Sequence, residues 1–220
     1  MENVFERTEA DSAGRIIGDH MYNLTIGLVL GWGFLINWLL VKLVEPESLL
    51  SIGFLPFIVG YFASCLLGVY LFTRSDNPAV SFLGYNLVVV PFGLVVNIVV
   101  SQYEPAVVLS AIRVTGFVTI LMMFLGTMFP AFFQKIAPVL VIALLAVIIV
   151  EMVEVFILGI HHDILDWIVA VIFCGYIGYD WGRANRIPKT LDNAIDSAAA
   201  LYMDIINLFL RILRIMGRRR

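Results

Sequence analysis

Charge is what this chain has least of. Asp, Glu, Lys and Arg make up 14% of its 220 residues against 61% for the apolar types, and the mean hydropathy is +0.96. Soluble domains carry about a quarter of their residues charged, so this composition excludes a water-facing globular surface and implies an integral membrane protein. Cysteine occurs twice, at Cys65 and Cys174, both inside apolar runs. Two such positions exclude a disulfide framework and a zinc cluster, and they read as small buried side chains. Histidine is nearly as rare. His161 and His162 precede Asp163 in a predicted outer loop, where adjacent residues seldom point at one ion, so the run reads as a solvated loop. The net charge of −3, with the one basic cluster in the C-terminal tail, offers no nucleic-acid surface.

What is present is a series of apolar runs near the 20 residues that span a bilayer as a helix. They predict helices over 21–43, 51–73, 79–101, 107–129, 137–159, 164–183 and 192–216. Polar and proline-bearing breaks separate them, such as Glu45-Pro46-Glu47, Arg74 through Pro78 and Arg183 through Lys189. Open strands cannot satisfy their backbone groups in lipid, and the runs are too long for barrel strands. The expected fold is an all-α seven-transmembrane-helix bundle over residues 21–217, with a polar segment over 1–20 before it and a basic tail over 218–220 after it. The first twenty residues hold five acids and two arginines, which is the wrong start for a signal peptide, so the first helix is expected to be retained. Gly60 through Ser64 and Gly175 through Gly178 offer small residues for close helix approach.

Lysine and arginine counts set the expected orientation. Arg7, Arg15, Arg74, Lys135, Arg183, Arg186 and Lys189 fall at the N-terminus and in alternate loops, while the opposite side holds Lys42 and Arg113. The N-terminus is therefore expected in the cytoplasm. The tail conflicts with this, because a seventh crossing carries Arg211, Arg214, Arg218, Arg219 and Arg220 to the outer side. Either the last helix crosses against the charge rule, or it re-enters.

Acids inside apolar runs are the functional candidates. An ionised carboxylate at mid-membrane costs roughly 2.5–3.5 kcal/mol even on the lenient insertion scale, so it must face protein, water, a proton or a cation. Asp180 closes one run and Asp204 lies inside the last. On a helical wheel Asp192, Asp196, Asp204, Asn207, Arg211 and Arg214 fall within an arc of about 120 degrees, opposite Leu201, Ile205, Leu208, Ile212 and Ile215. Such a stripe either lies in the headgroups of an interfacial helix or lines a pathway around a central last helix. Glu151 and Glu154 stand one turn apart in the fifth predicted helix, placed for a cation path or for an ion pair with Arg113. Asp192 and Asp196 suit the positive end of the last helix, and Asp196 also stands where it can line the cytoplasmic mouth.

An enzyme is the rival class. Tyr179-Asp180 matches the first half of the intramembrane aspartyl protease signature, but Leu-Tyr-Met before Asp204 does not match the second half. There is no Gly-x-Ser-Gly helix start with a partner histidine and no His-Glu-x-x-His run. The expectation is a protein that is not an enzyme and needs no cofactor.

The stretch Ile-Gly-Tyr-Asp180, a short basic connector, then Ala-Leu-Tyr-Met-Asp204-Ile-Ile-Asn-Leu-Phe-Leu-Arg-Ile-Leu-Arg-Ile-Met-Gly resembles the C-terminal signature of the Bax inhibitor-1 family. This family is also called the transmembrane Bax-inhibitor-motif family. The 24-residue separation of the two aspartates is close to that of its bacterial YccA/YetJ-like branch, and the resemblance is strongest over roughly residues 173–217. It implies a pH-sensitive calcium leak through the membrane, controlled by a hydrogen-bonded pair, here Asp180 and Asp204, with Arg74 as the nearby cation. The alternative that the family implies is a non-transporting regulator of a membrane-bound ATP-dependent protease or of stress and cell-death machinery, with the polar N-terminus as the contact. The implied home is the bacterial plasma (inner) membrane, or the endoplasmic reticulum membrane in a eukaryote. The implied partners are membrane lipid, calcium and protons. The chemistry stands beside the resemblance: two carboxylates in contact at low dielectric share a proton, and losing it leaves hard oxygen ligands suited to Ca²⁺.

Overall fold

The computed structural model describes residues 15–159 and 162–218. Most of the polar N-terminal segment (1–14), together with His161, Arg219 and Arg220, lies outside the described residues. Among those described the elements are α1 (Asp19–Leu43), α2 (Pro46–Ser51), α3 (Phe54–Arg74), α4 (Pro78–Val100), α5 (Pro105–Met128), α6 (Pro130–Val153), a π-helical turn (Glu154–Leu158), α7 (Asp163–Ala184) and α8 (Leu191–Gly217). The protein is all-α, and the β-contact among the described residues is a single bridge between Ile16 and Thr190. Six helices, α1, α3, α4, α5, α6 and α7, are long and apolar enough to cross a membrane. They expose large apolar side chains such as Phe117, Ile120 and Ile142, as lipid-facing surfaces do. The expected count of seven is not reached by length and composition, because the polar stripe of α8 keeps it out of that set.

Proline punctuates the chain as helix chemistry requires. Pro46, Pro78, Pro105 and Pro130 each open a helix, where a missing N–H is no loss and the fixed φ suits the first turn. Asn77 caps α4 by accepting a hydrogen bond from the Ala79 backbone N–H at 3.0 Å. The largest departure from expectation is α6. It begins at Pro130 rather than 137, because Phe129 alone separates it from α5. Gln134 and Lys135 are exposed in its opening turns instead of forming a loop. Its far end gives way to the π turn, which Gly159 closes with a left-handed backbone, φ 63°.

The chain forms two compact units, one from the residues up to Gln102 plus Arg186–Tyr202, the other from Tyr103–Asn185 plus Met203 onward. In the first, α3 and α4 meet where Gly68 and Gly84 face each other: a Cβ on Gly68 would lie 2.5 Å from the Gly84 carbonyl oxygen. Gly60, by contrast, has nothing within 4 Å, while Ser64 at the other end of that small-residue run donates to the Leu87 carbonyl of α4 at 2.7 Å. Polar bonds run along the first half of α8. Ser81 donates to Asp192 at 2.7 Å, the Tyr22 hydroxyl meets Ser197 at 3.2 Å, and Asn37 donates to Tyr202 at 2.9 Å. Before α8, the Ile17 N–H donates to the Lys189 carbonyl at 2.8 Å and Lys189 pairs with Asp19 at 2.7 Å.

In the second unit, α7 packs on α5 and α6 through glycines. A Cβ on Gly126 would run into the Gly178 backbone, and one on Gly175 would lie 2.7 Å from Leu140. Cys65 and Cys174 are free and half-buried.

Candidate functional site

Asp180 is reached by building α7 toward its C-terminal end. Gly178 and Gly182 let the helix approach α5, and Trp181 donates its indole N–H to the Thr127 hydroxyl at 2.9 Å. That seam fixes the turn that carries Asp180. Asp204 comes from the second half of α8, in the same unit. The two carboxyl groups hydrogen-bond to each other, and both residues are buried, each 7% exposed. Asp180 Oδ1 and Asp204 Oδ2 have no hydrogen-bond partner among the described residues. Two acceptors thus remain buried and uncommitted, in a setting where such groups are normally satisfied. Asp180 Oδ1 lies 3.9 Å from Nη1 of Arg183, one helical turn later, whose side chain is 11% exposed. Tyr176 lies close enough to both aspartates to feel their charge.

The family model described as "Inhibitor of apoptosis-promoting Bax1" matches residues 18–220. The chain belongs to the Bax inhibitor-1 family. Among its relatives it is 30% identical to Protein LIFEGUARD 3 of Arabidopsis thaliana over 187 residues, 80% of this chain and 74% of that one. A shorter stretch of 86 residues is 41% identical to Protein LIFEGUARD 4 of the same plant, 38% of this chain and 34% of the relative. A bacterial relative, an uncharacterized membrane protein of Streptococcus pyogenes, is 24% identical over 212 residues, 90% of both chains. With six apolar helices and membrane-protein relatives, this Bax inhibitor-1 family member is a multi-pass membrane protein.

The other sequence-predicted residues each have their own setting. Arg74 is exposed at the end of α3, in the first unit. Asp196 is buried there, 3% exposed. Asn207 donates its amide to the Met203 carbonyl of its own helix at 2.8 Å. Glu151 and Glu154 bond different partners. Glu151 takes both nitrogens of Arg211, and Arg113 is exposed, so the basic partner comes from α8 rather than α5. Glu154 instead accepts from the His162 backbone N–H at 3.1 Å and bonds its ring Nδ1 at 2.5 Å, fastening the π turn to the start of α7. His162 is thereby a tether as well as an exposed loop residue.

Sequence reasoning missed a second charge cluster. Asp166, fully buried, contacts Arg211 at 2.8 Å, Arg214 at 3.2 Å and Arg218 at 2.9 Å, and Arg218 also reaches Asp163 at 2.5 Å. Arg211 and Arg214 were visible as part of the α8 stripe, and Arg218 as part of the basic tail. Asp163 and Asp166 as their acidic partners were not, because both lie in the first turn of α7, where acids are common without a basic partner. An interfacial helix would leave its polar stripe wet. Asp192, Asp196 and Asp204 are instead 3%, 3% and 7% exposed.

Proposed function

We propose that this protein is a pH-sensitive calcium leak pathway, a channel or transporter for the cation, gated by proton sharing between Asp180 and Asp204. The observation that carries this reading is the buried carboxyl pair with one uncommitted oxygen on each side. While one proton is shared, the pair is closed and carries a single negative charge. When the proton leaves, two like charges face each other at low dielectric, which drives them apart and presents oxygen ligands of the kind Ca²⁺ takes. Leak therefore rises as pH rises through the switching range. Arg74 keeps the role the family resemblance gives it, as a cation acting on the pair, and Asp196, Glu151, Glu154 and Asn207 are second-rank pathway positions.

The same reading makes α8 a seventh crossing at the centre of the bundle. Its buried acids and its arginines, bonded to Glu151 and Asp166, support that, since charge matched inside protein is the condition for polar residues at membrane depth. The proposed home is a bacterial plasma membrane, or the endoplasmic reticulum membrane in a eukaryotic cell.

The test is calcium uptake into liposomes holding the purified protein and an indicator, across pH 5 to 8. Wild type should show flux that rises with pH, and Asp180→Asn with Asp204→Asn should abolish that dependence. A double variant that still responds normally to pH would refute the gate. Wild-type flux no higher than in empty liposomes at every pH would transfer the proposal to a non-transporting regulator of a membrane-bound ATP-dependent protease or of cell-death machinery.

A further inference from the structure

Deep inside an apolar helix, Arg113 is exposed and makes no hydrogen bond or ion pair with any described residue. The inner face of α5 carries the buried Ala111, Thr115 and Thr119, and Arg113 stands about 200 degrees round the helix from Ala111, on the opposite face. That outer face is otherwise apolar, with Leu109, Ile112, Phe117 and Ile120 exposed beside the arginine. The helix has 24 residues, of which Arg113 is the ninth counting from Pro105. At 1.5 Å per residue its Cα stands about 12 Å from the helix start and about 5 Å from the middle. A hydrocarbon layer of about 30 Å centred on α5 leaves that Cα about 10 Å inside the boundary. Long basic side chains reach the headgroups from near helix ends, whereas Arg113 lies more than two turns in. The one polar side chain between it and the helix start, Ser110, donates its hydroxyl to the Ala106 carbonyl at 2.7 Å, so it offers an incoming phosphate no proton.

Gly116 shares this face, three residues on. It is exposed, and a Cβ there would meet nothing within 4 Å, so no described part of the chain uses the space it leaves. Small residues on membrane helices let a second backbone come close, and polar side chains then bond across the seam. We propose that the Arg113–Gly116 face of α5 docks a transmembrane helix of another protein that carries a carboxylate at the depth of Arg113. Gly116 admits the partner's backbone, and the Arg113 guanidinium takes the carboxylate through paired N–H donors. Either charge alone is unfavourable in lipid, and together they cancel. A second copy of this chain cannot supply the acid from its described residues. Glu151 is held by Arg211 and Glu154 by His162, and Asp166, Asp180, Asp192, Asp196 and Asp204 are buried. The exposed acids, such as Glu104 and Asp163, stand at helix ends or between helices. The partner is therefore a different chain, and the proposal does not depend on the aspartate pair.

The test uses the full chain in phosphatidylcholine vesicles, labelled for energy transfer to synthetic polyleucine transmembrane peptides that carry Asp, Asn or Leu at the depth of Arg113. The wild type should bind the Asp peptide about tenfold more tightly than the Leu peptide, with the Asn peptide between them. Arg113→Leu should lose that preference. Because Arg113 bonds no described residue of the chain, this variant should keep the wild-type fold. Gly116→Leu holds the backbones apart, so it should weaken every peptide while keeping their order. An Asp peptide that binds the wild type no better than the Leu peptide does, or that binds Arg113→Leu as well as the wild type, overturns the proposal. The competing occupant is an anionic headgroup, and repeating the measurement with phosphatidylglycerol in the vesicles separates the two. A preference that survives supports the helix partner, and one that is abolished assigns Arg113 to anionic lipid and overturns the docking site.

Discussion

Replacing Asp166 by alanine tests whether the end of α8 is held by the charge cluster. Asp166 is completely buried and faces three guanidiniums at 2.8, 3.2 and 2.9 Å. Breaking a buried ion pair by removing one partner costs about 3–5 kcal/mol, mostly the penalty of leaving the other charge uncompensated. Part of that is recoverable here. Arg211 keeps Glu151 and Arg218 keeps Asp163, and the side chains of Arg214 and Arg218 are 35% and 32% exposed, so they can find water or headgroups. The expected loss is therefore near the lower limit, about 3 kcal/mol. Asp163→Ala is the internal control. It removes a carboxylate whose side chain is 73% exposed and pairs with Arg218, and exposed pairs are worth up to about 1 kcal/mol. Equilibrium unfolding in mixed micelles measures both. Equal losses, within about 0.5 kcal/mol, would refute the claim that the buried carboxylate organises the cluster.

Gly126→Ala drives a Cβ into the Gly178 backbone and should cost about 1–3 kcal/mol by forcing α5 and α7 apart, whereas Gly60→Ala, with nothing within 4 Å, should stay within about 0.5 kcal/mol in the same unfolding assay. Ser81→Ala removes the hydroxyl that donates to Asp192 at 2.7 Å; a loss of about 1.5–3 kcal/mol is expected for a bond to a charged group, with Ser81→Thr recovering most of it.

Most helices were legible because hydropathy is the dominant signal in lipid. The run over 79–101 became Pro78–Val100, and 192–216 became Leu191–Gly217. The expectation for α6 failed for a local reason. A Gln-Lys pair reads as a loop in a hydropathy profile, but nothing in those residues breaks a helix, and Pro130 just upstream is a better start signal than the polar pair is a stop. The short α2 was invisible because Glu45-Pro46-Glu47 marks an interruption without saying what fills it. At the site, Asp180 and Asp204 stand out by their cost, since a carboxylate inside an apolar run demands a partner, and the structure sets the two close enough for each to bear on the other's charge. Arg183 was readable from its three-residue spacing, yet it was counted only as a loop charge for orientation. A residue can serve both purposes, and the helix extends one residue beyond it, to Ala184.

The conflict over the C-terminal arginines eases on the same grounds. The charge rule for orientation counts Lys and Arg near span ends as free positive charges facing the cytoplasm. Arg211, Arg214 and Arg218 are not free. Three guanidiniums meet three carboxylates, Glu151, Asp163 and Asp166, so their local sum is zero and they carry little orienting force. With them removed from the count, only Arg219 and Arg220 of the tail stand against the arginines and lysines at the N-terminus and in alternate loops. A cytoplasmic N-terminus and the proposed seventh crossing by α8 then oppose each other less. A sequence shows where charges are, and only the packing shows which have already been cancelled.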